Sequence, residues 1–302
     1  MVKQPLKWFG GKFYLADWLI GLMPPHLTYI EPYAGGLAVL MRKDPMDERH
    51  QWGTSSSERG KSEIVNDVHG GLINFWRVLQ DEEAFAKFKR RIEATPFCKQ
   101  MWQEAEALMM PDESRIVDGC DVIAAAAFFV RCRQARAGSM ATFTPMRKNA
   151  TSVHMNGDVG TWLNAIDSLP EVHNRLRRVV IFNEDAVKVI EREDDWKTLF
   201  YLDPPYMHDT RVELNGYKHE MSIDDHKRLL KTIKGCVGMV MISGYRNEIY
   251  DSALVGWHRY DKETTSGSSG LAAKRVESVW LNWDGDKDKK LERKLDRLFG
   301  KM

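Results

Sequence analysis

The sequence over residues 28–40 is TYIEPYAGGLAVL, a short β-forming run followed by a glycine pair and an apolar segment. This order predicts a strand, a tight turn and the beginning of a helix. A second unit of the same kind occupies residues 62–79, where SEIVND precedes the amphipathic segment GLINFWRVL. Strand and helix are therefore expected to alternate in the first third of the chain.

The same alternation returns after residue 170, with short apolar runs at residues 178–182, 199–202 and 237–242. Ser222 is the expected N-cap of a helix over residues 222–234. Alternating strands and helices predict an α/β sheet with crossover connections. Because residues between these parts have helical patterns, we predict a catalytic domain formed by residues 1–84 and 171–302 and an inserted, mainly helical domain formed by residues 85–170.

Composition narrows the class of protein. The chain has 302 residues, of which 43% are hydrophobic, which is enough for a full core. No apolar run approaches the ~20 residues of a membrane span, and the N-terminus lacks the apolar core of a secretion signal. We therefore expect a cytoplasmic protein without a membrane segment. The cysteines are too widely spaced for a zinc site and are predicted to be buried reduced thiols: Cys98, Cys120, Cys132 and Cys236.

Charge is unevenly distributed although the formal net charge is only +1. No acidic residue occurs between Asp121 and Asp158, and this window also contains Gly138 and Pro145, which predict a turn or hairpin. Arginine can pair with guanine or phosphate, and glutamine can pair with adenine. The window therefore predicts a DNA-reading segment, with a solvated basic surface as the alternative. The candidate DNA contacts are Arg131, Arg133, Gln134, Arg136, Arg147 and Lys148.

Residues 201–206 read YLDPPY, an apolar strand that runs directly into an acid, two prolines and an aromatic residue. Open α/β sheets bind ligands at the carboxyl ends of their strands. The Asp203 carboxylate and the Pro204 carbonyl can each accept one hydrogen of a planar amine, while the Tyr206 ring stacks on the base that carries it. Asp203, Pro204, Pro205 and Tyr206 are thus candidate catalytic residues. A merely rigid turn is the alternative interpretation.

Three segments together resemble a known family. Asp203–Tyr206 resembles the signature of adenine-N6 DNA methyltransferases, and KWFGGK at residues 7–12 resembles the opening motif of their Dam-like, D12-class members. IEPYAGG at residues 30–36 resembles the cofactor loop of that class, with Tyr33 where phenylalanine is usual. The order of the motifs also agrees, so that the resemblance extends from about residue 5 to residue 283.

The resemblance implies a Rossmann-like, S-adenosylmethionine-dependent methyltransferase sheet with an inserted target-recognition lobe. It implies methyl transfer to N6 of an adenine flipped out of double-stranded DNA, with residues 207–221 as a lid over the flipped base. Residues 128–148 and 201–211 look most like prophage-associated members, which suggests a free-standing modification enzyme. The transfer needs no metal, and His208 and His219 lack a third ligand at suitable spacing.

The family pattern also implies roles for individual residues. Gly35 would let the cofactor approach the backbone, and Asp67 resembles the ribose-binding acid, with a helix cap as the alternative. Asp185 stands where an acid contacts the cofactor's adenine, although Glu184 is its neighbour. Lys7 is expected to approach DNA. The implied cofactor-binding residues are Trp8, Lys12, Tyr33, Gly35, Asp67, Asp185 and Asp203.

Two other functions compete with this interpretation. Related folds that methylate RNA or protein amides use Asn-Pro-Pro-Tyr, and the acid at Asp203 favours adenine in DNA. A catalytically inactive DNA-binding relative would be expected to lose the cofactor loop or the catalytic acid, and both are retained. Monomer and homodimer are both left open.

Overall fold

The computed structural model describes residues 2–8, 10–52, 62–144, 151–152, 155–206, 221–266 and 273–283. Its strands are β1 (Thr28–Glu31), β2 (Ser62–Asn66), β3 (Thr151–Ser152), β4 (Met155–Asn156), β5 (Val179–Phe182), β6 (Thr198–Leu202), β7 (Met239–Gly244), β8 (His258–Ser266) and β9 (Ala273–Leu281). Its α-helices are α1 (Ala16–Ile20), α2 (Ala38–Arg42), α3 (Gly70–Gln80), α4 (Glu82–Glu93), α5 (Lys99–Glu104), α6 (Val122–Arg133), α7 (Gly157–Asp167), α8 (Leu169–Leu176), α9 (Ala186–Glu193), α10 (Ile223–Gly235) and α11 (Glu248–Ala253).

Seven strands form one sheet in the order β5-β2-β1-β6-β7-β9-β8. β6 is parallel to both β1 and β7, whereas β9 is antiparallel to β7 and β8. The strand order reverses between β1 and β6, because β2 lies on one side of β1 and β6 lies on the other. In open α/β sheets the carboxyl ends of the strands at such a reversal bind the ligand. The predicted α/β class is confirmed.

The chain divides into two compact units. The first comprises Met1–Asp17, Ala34–Asp44 and Val65–Glu184, and the second comprises Trp18–Tyr33, Pro45–Ile64 and Asp185–Met302. These bounds differ from the predicted domain bounds. The predicted insertion, residues 85–170, lies within the first unit.

The core of the first unit is built on α3 and α6. Helix α6 has the sequence VIAAAAFFVRCR, and a helix that is apolar around nearly its whole circumference is expected to be buried. Phe75 of α3 stacks on Phe128 and Phe129 of α6, with ring centroids 6.0 Å and 5.9 Å away. Asp121 caps α6 by accepting the backbone N–H of Ala124.

In the second unit, all five residues of β6 (TLFYL) are buried, as expected of a parallel strand covered on both faces. The predicted N-cap of α10 is confirmed, since Ser222 and Asp225 form a capping box. The helix buries Leu229 and Ile233. These packed elements fix the positions at which β6 and β7 end.

Other sequence-based expectations have mixed outcomes. Cys120 and Cys132 are buried, whereas Cys98 and Cys236 are half-buried, and all four thiols are free. Among the helices of the described ranges, none combines the length and apolar character needed to cross a membrane. The predicted lid at residues 207–221, which includes His208 and His219, lies outside the described residues except for Met221.

Candidate functional site

Asp203 follows the last residue of β6, at the carboxyl edge beside the reversal between β1 and β6. Pro204 is buried, and Asp203, Pro205 and Tyr206 are half-buried. Proline has no N–H to donate to a neighbouring strand, so the two prolines end β6 here. An acid, a carbonyl and an aromatic ring thus follow one another at the edge where this class of sheet binds its ligands.

The Tyr206 side chain contacts Glu277 and Tyr245 within the second unit. Its hydroxyl donates a hydrogen bond to Oε2 of Glu277, at 2.8 Å. Its ring packs edge-on against Tyr245, which follows β7, with centroids 4.7 Å apart and an interplanar angle of 69°. Glu277 lies on β9 and is only 9% exposed. Sequence reasoning missed Glu277, because nothing in the local pattern links it to a residue 71 positions away.

The phenols around Asp203 are held in their neutral form. Burial, the Asp203 charge and the Glu277 charge raise the pKa of Tyr206 well above its usual value. Burial and Asp203 likewise raise the pKa of Tyr201, whose hydroxyl accepts a hydrogen bond from Ser243 at 3.1 Å. Burial raises the pKa of Tyr250, again with a contribution from Asp203. The phenols on which the Asp203 charge acts are therefore uncharged.

Tyr33 and Asp185, two predicted cofactor contacts, also belong to the second unit. Tyr33 is half-buried, and burial together with Tyr250 and Asp185 raises its pKa. Asp185 is the N-cap of α9, accepting the backbone N–H of Lys188, and forms an ion pair with Arg228 at 2.6 Å. Burial tends to raise the pKa of Asp185, but the hydrogen bonds from Arg228 and Lys188 outweigh it, so the pKa is lowered. Asp185 is thus an ionised group with structural contacts of its own.

In the first unit, the glycine loop is fixed by contacts to Asp67 and two tryptophans. The Gly35 N–H donates to Oδ2 of Asp67 at 3.0 Å, and the Gly35 carbonyl accepts from Nε1 of Trp76 at 3.2 Å. Gly35 has φ +45°, and a Cβ added there would lie 2.7 Å from Nε1 of Trp8. Glycine is therefore required here by the backbone conformation and by the packing of Trp8.

Asp67 has a second backbone contact, since its Oδ1 accepts the N–H of His69 at 2.9 Å. The carboxylate therefore links the glycine loop to the segment that begins α3. Asp67 is half-buried. A partly exposed carboxylate beside a glycine loop at the end of β2 is suited to accept the hydroxyls of a ribose, as the family resemblance implies.

The side chains of Trp8 and Lys12 both have contacts within the first unit. Trp8 is half-buried and stacks on Phe128, with centroids 6.3 Å apart. Lys12 is 5% exposed, and its Nζ donates to the Gly10 carbonyl at 3.0 Å. The Phe128 contact supports the alternative interpretation of Trp8 as a core aromatic residue. The cofactor contact of Trp8 stays a prediction.

Arg131 and Arg133 lie on the buried C-terminal part of α6. The Arg131 guanidinium covers the Trp102 ring at 3.6 Å and donates to the Trp102 carbonyl at 3.2 Å. Arg133 donates to the Thr161 carbonyl at 2.8 Å. Burial lowers the pKa of both guanidinium groups. The interpretation of these arginines as DNA contacts is corrected: the structure gives them a role in holding the helical part of the first unit together.

Gln134 is also buried, and its amide donates to the Pro96 carbonyl at 3.0 Å, which replaces the predicted adenine contact by a structural one. Arg136, by contrast, is exposed. The two remaining predicted contacts, Arg147 and Lys148, lie outside the described residues. Arg136 is therefore the member of this predicted set that the described structure presents to solvent.

Lys7 is attached to the same segment through its backbone. Its carbonyl accepts a hydrogen bond from the Cys132 thiol at 3.1 Å. Gly138 has φ +73°, and a Cβ there would overlap the Lys7 carbonyl oxygen. The turn that contains Arg136 is therefore packed against the backbone of Lys7. Sequence reasoning identified Gly138 as a turn residue but missed this contact.

Within the described ranges, no group of three His, Cys, Asp or Glu side chains is arranged to hold a metal ion.

A family model described as D12 class N6 adenine-specific DNA methyltransferase matches residues 8–266. No curated protein matches the chain. Two solved structures of an rRNA methyltransferase, aviRa from Streptomyces viridochromogenes, at 2.4 Å and 1.5 Å, are each 10% identical with a TM-score of 0.36, covering 89% of this chain and 83% of theirs.

Proposed function

The chain belongs to the D12 class N6 adenine-specific DNA methyltransferase family, and on that premise we propose a site-specific enzyme that acts on a flipped adenine in double-stranded DNA. Its fold is the Rossmann-like α/β fold of S-adenosylmethionine-dependent methyltransferases. The observation that carries the proposal is the position of Asp203 directly after β6, beside the reversal of strand order, with Tyr206 three residues further on. The target nitrogen is inaccessible in a base pair, so the base must leave the stack.

Asp203 and Pro204 would hold the amine. The Asp203 carboxylate and the Pro204 carbonyl would accept its two hydrogens, which leaves the nitrogen lone pair available to attack a methyl group. The Tyr206 ring contributes stacking area, and its hydroxyl is already bound to Glu277. Bound S-adenosylmethionine would supply the electrophilic methyl group and leave as S-adenosylhomocysteine, while the amine loses one proton. The protein's own contribution is thus to orient the amine through Asp203 and Pro204 and to stack the base on the Tyr206 ring.

The residues proposed to hold S-adenosylmethionine are Trp8, Lys12, Tyr33, Gly35, Asp67, Asp185 and Asp203. Asp67 supports this assignment through its hydrogen bond to Gly35, which gives the loop a fixed shape. Asp185 supports it as an ionised carboxylate that remains partly exposed. For DNA we propose Lys7 and Arg136, together with Arg147 and Lys148. The similarity to prophage-associated members stays a prediction.

The test is single-molecule sequencing of DNA from methylation-deficient cells that express the chain, beside an Asp203→Ala control. We expect N6-methyladenine within one sequence motif for the wild type and unmodified adenine for the control. Unmodified DNA in cells that contain folded wild-type protein would overturn the proposal. The motif obtained in this way also supplies the substrate for kinetic measurements.

A further inference from the structure

Glu277 is a charged residue at the beginning of the buried part of β9, since Val276 before it is 44% exposed. Val279, Trp280 and Leu281, which follow it on β9, are at most 2% exposed. Glu277 is 9% exposed and accepts the Tyr206 hydroxyl at 2.8 Å. A carboxylate costs free energy to bury unless it is hydrogen-bonded. The Tyr206 hydroxyl supplies that hydrogen bond, so the burial of Glu277 depends on the position of the Tyr206 side chain.

The register of the sheet puts Glu277 at the edge of the site. Ser278 of β9 pairs with Gly244, the last residue of β7, so Glu277 is the next residue of β9 beyond the end of β7. Tyr245 follows β7 at the same edge and packs against the Tyr206 ring. The ring of Tyr206 is therefore restrained at its hydroxyl by Glu277 and along its side by Tyr245.

We propose that Glu277 is a positioning residue that fixes the orientation of the Tyr206 ring before the target base arrives. This inference rests on the proposed function, in which that ring stacks on the flipped adenine. A side chain that is ordered in advance loses less conformational entropy on binding. Glu277 acts through Tyr206 and not on the base itself, so its removal should weaken capture of the base and leave binding of S-adenosylmethionine unchanged.

A double-mutant cycle tests the proposal. The variants are Glu277→Ala, Tyr206→Phe and the two combined, with Glu277→Gln as the variant that keeps an acceptor oxygen. Ser278→Ala is the matched control, because Ser278 is the buried neighbour on the same strand and bonds to Asp261 instead of Tyr206. The substrate is unmethylated genomic DNA with S-adenosylmethionine carrying a tritiated methyl group. The measurements are kcat/KM for DNA and calorimetric affinity for S-adenosylmethionine.

We expect Glu277→Ala and Tyr206→Phe each to lower kcat/KM for DNA about tenfold, the order expected for one hydrogen bond to a charged group. The combined variant should be no worse than either single variant, because both remove the same contact. Glu277→Gln should recover most of the loss, and Ser278→Ala should behave as the wild type. Affinity for S-adenosylmethionine should be unchanged in every variant.

The role of Glu277 would be overturned if the two losses in kcat/KM multiplied in the combined variant. It would also be overturned if Glu277→Ala had the wild-type kcat/KM, or if its affinity for S-adenosylmethionine fell in parallel. If Glu277→Ala does not fold, Tyr206→Phe still decides, because it keeps the ring and removes only the hydroxyl: unchanged kcat/KM would then overturn the proposal. A folded wild type that transfers no methyl group to DNA would overturn the proposed function and this role with it. An active wild type with multiplying losses would overturn the role alone.

Discussion

Gly138 provides a direct test of how the predicted DNA-reading segment is attached to Lys7. Its φ of +73° lies in the left-handed region, and an added Cβ would overlap the Lys7 carbonyl oxygen. The neighbouring atom belongs to backbone, which cannot rotate away as a flexible side chain could. Gly138→Ala should therefore displace the turn from Lys7 or strain both segments.

The magnitude has two parts. A residue with a Cβ in the left-handed conformation costs roughly 1–2 kcal/mol, and overpacking adds roughly 1–3 kcal/mol. Gly119→Ala is the matched control, because Gly119 has φ +80° and nothing within 4 Å of its added Cβ. The control should lose only the conformational part. The difference between the two variants in unfolding free energy isolates the contact with Lys7.

The assay combines urea denaturation with DNA binding measured by fluorescence anisotropy. Because Lys7 and Arg136 are proposed to contact DNA, Gly138→Ala should also weaken DNA binding, whereas Gly119→Ala should not. The reasoning is refuted if both variants lose the same stability and bind DNA equally well. Weakened DNA binding in Gly119→Ala alone would show that the proposed contact region is wrongly located.

Three further predictions follow from the same contacts. Asp203→Ala should lower methyl transfer by roughly 100-fold or more, the order reported for loss of one preorganised active-site group, with circular dichroism unchanged. Burial raises the pKa of Cys132 to about 12, so its protonated, buried thiol should resist iodoacetamide at pH 8 until the chain is unfolded, while half-buried Cys98 reacts first, as mapped by mass spectrometry. The lowered pKa of Asp185 means that its ion pair with Arg228 stabilises the chain above about pH 4 and is lost as the pH falls through the folded-state pKa. With side chains 49% and 40% exposed, Arg228→Ala should cost less than about 1 kcal/mol at pH 7 and less still at pH 3, measured by urea denaturation.

Local sequence carried enough information to predict the strand–turn–helix units and the strand end at Asp203. Two prolines one residue after an apolar run end the strand, because they cannot donate to a neighbouring strand, and Ser222 with Asp225 caps a helix through contacts three residues apart. Such features depend on neighbours in the chain. The strand end and the helix cap are therefore found in the structure where the sequence predicts them.

The predicted DNA contacts show where local reasoning fails. An acid-free window indicates basic character, but it does not indicate which side chains reach solvent. Arg131 and Arg133 continue the apolar helix α6 and are buried with it, where backbone carbonyls such as that of Thr161 accept their hydrogens. The apolar run over residues 124–130 could have indicated this burial, because the last turn of a buried helix is buried with the rest of the helix.

Contacts between distant segments were equally hidden. Gly35 was predicted to leave room for a cofactor, and the structure shows that a Cβ there would lie only 2.7 Å from Nε1 of Trp8. Tyr206 and Glu277 are joined across 71 positions of the chain. Both contacts arise from sheet register and packing, which one sequence does not specify residue by residue.

The two carboxylates near Tyr206 are distinguished by their contacts. Glu277 is engaged by the Tyr206 hydroxyl, a phenol whose raised pKa keeps it protonated and able to donate. The Asp203 charge contributes to the raised pKa values of the buried phenols of Tyr201 and Tyr250, so these phenols stay neutral. A planar base with an exocyclic amine needs aromatic faces and a carboxylate acceptor at its edge. In the proposed function the half-buried Tyr206 ring supplies the aromatic face, and because Glu277 already accepts the Tyr206 hydroxyl, the acceptor role falls to Asp203.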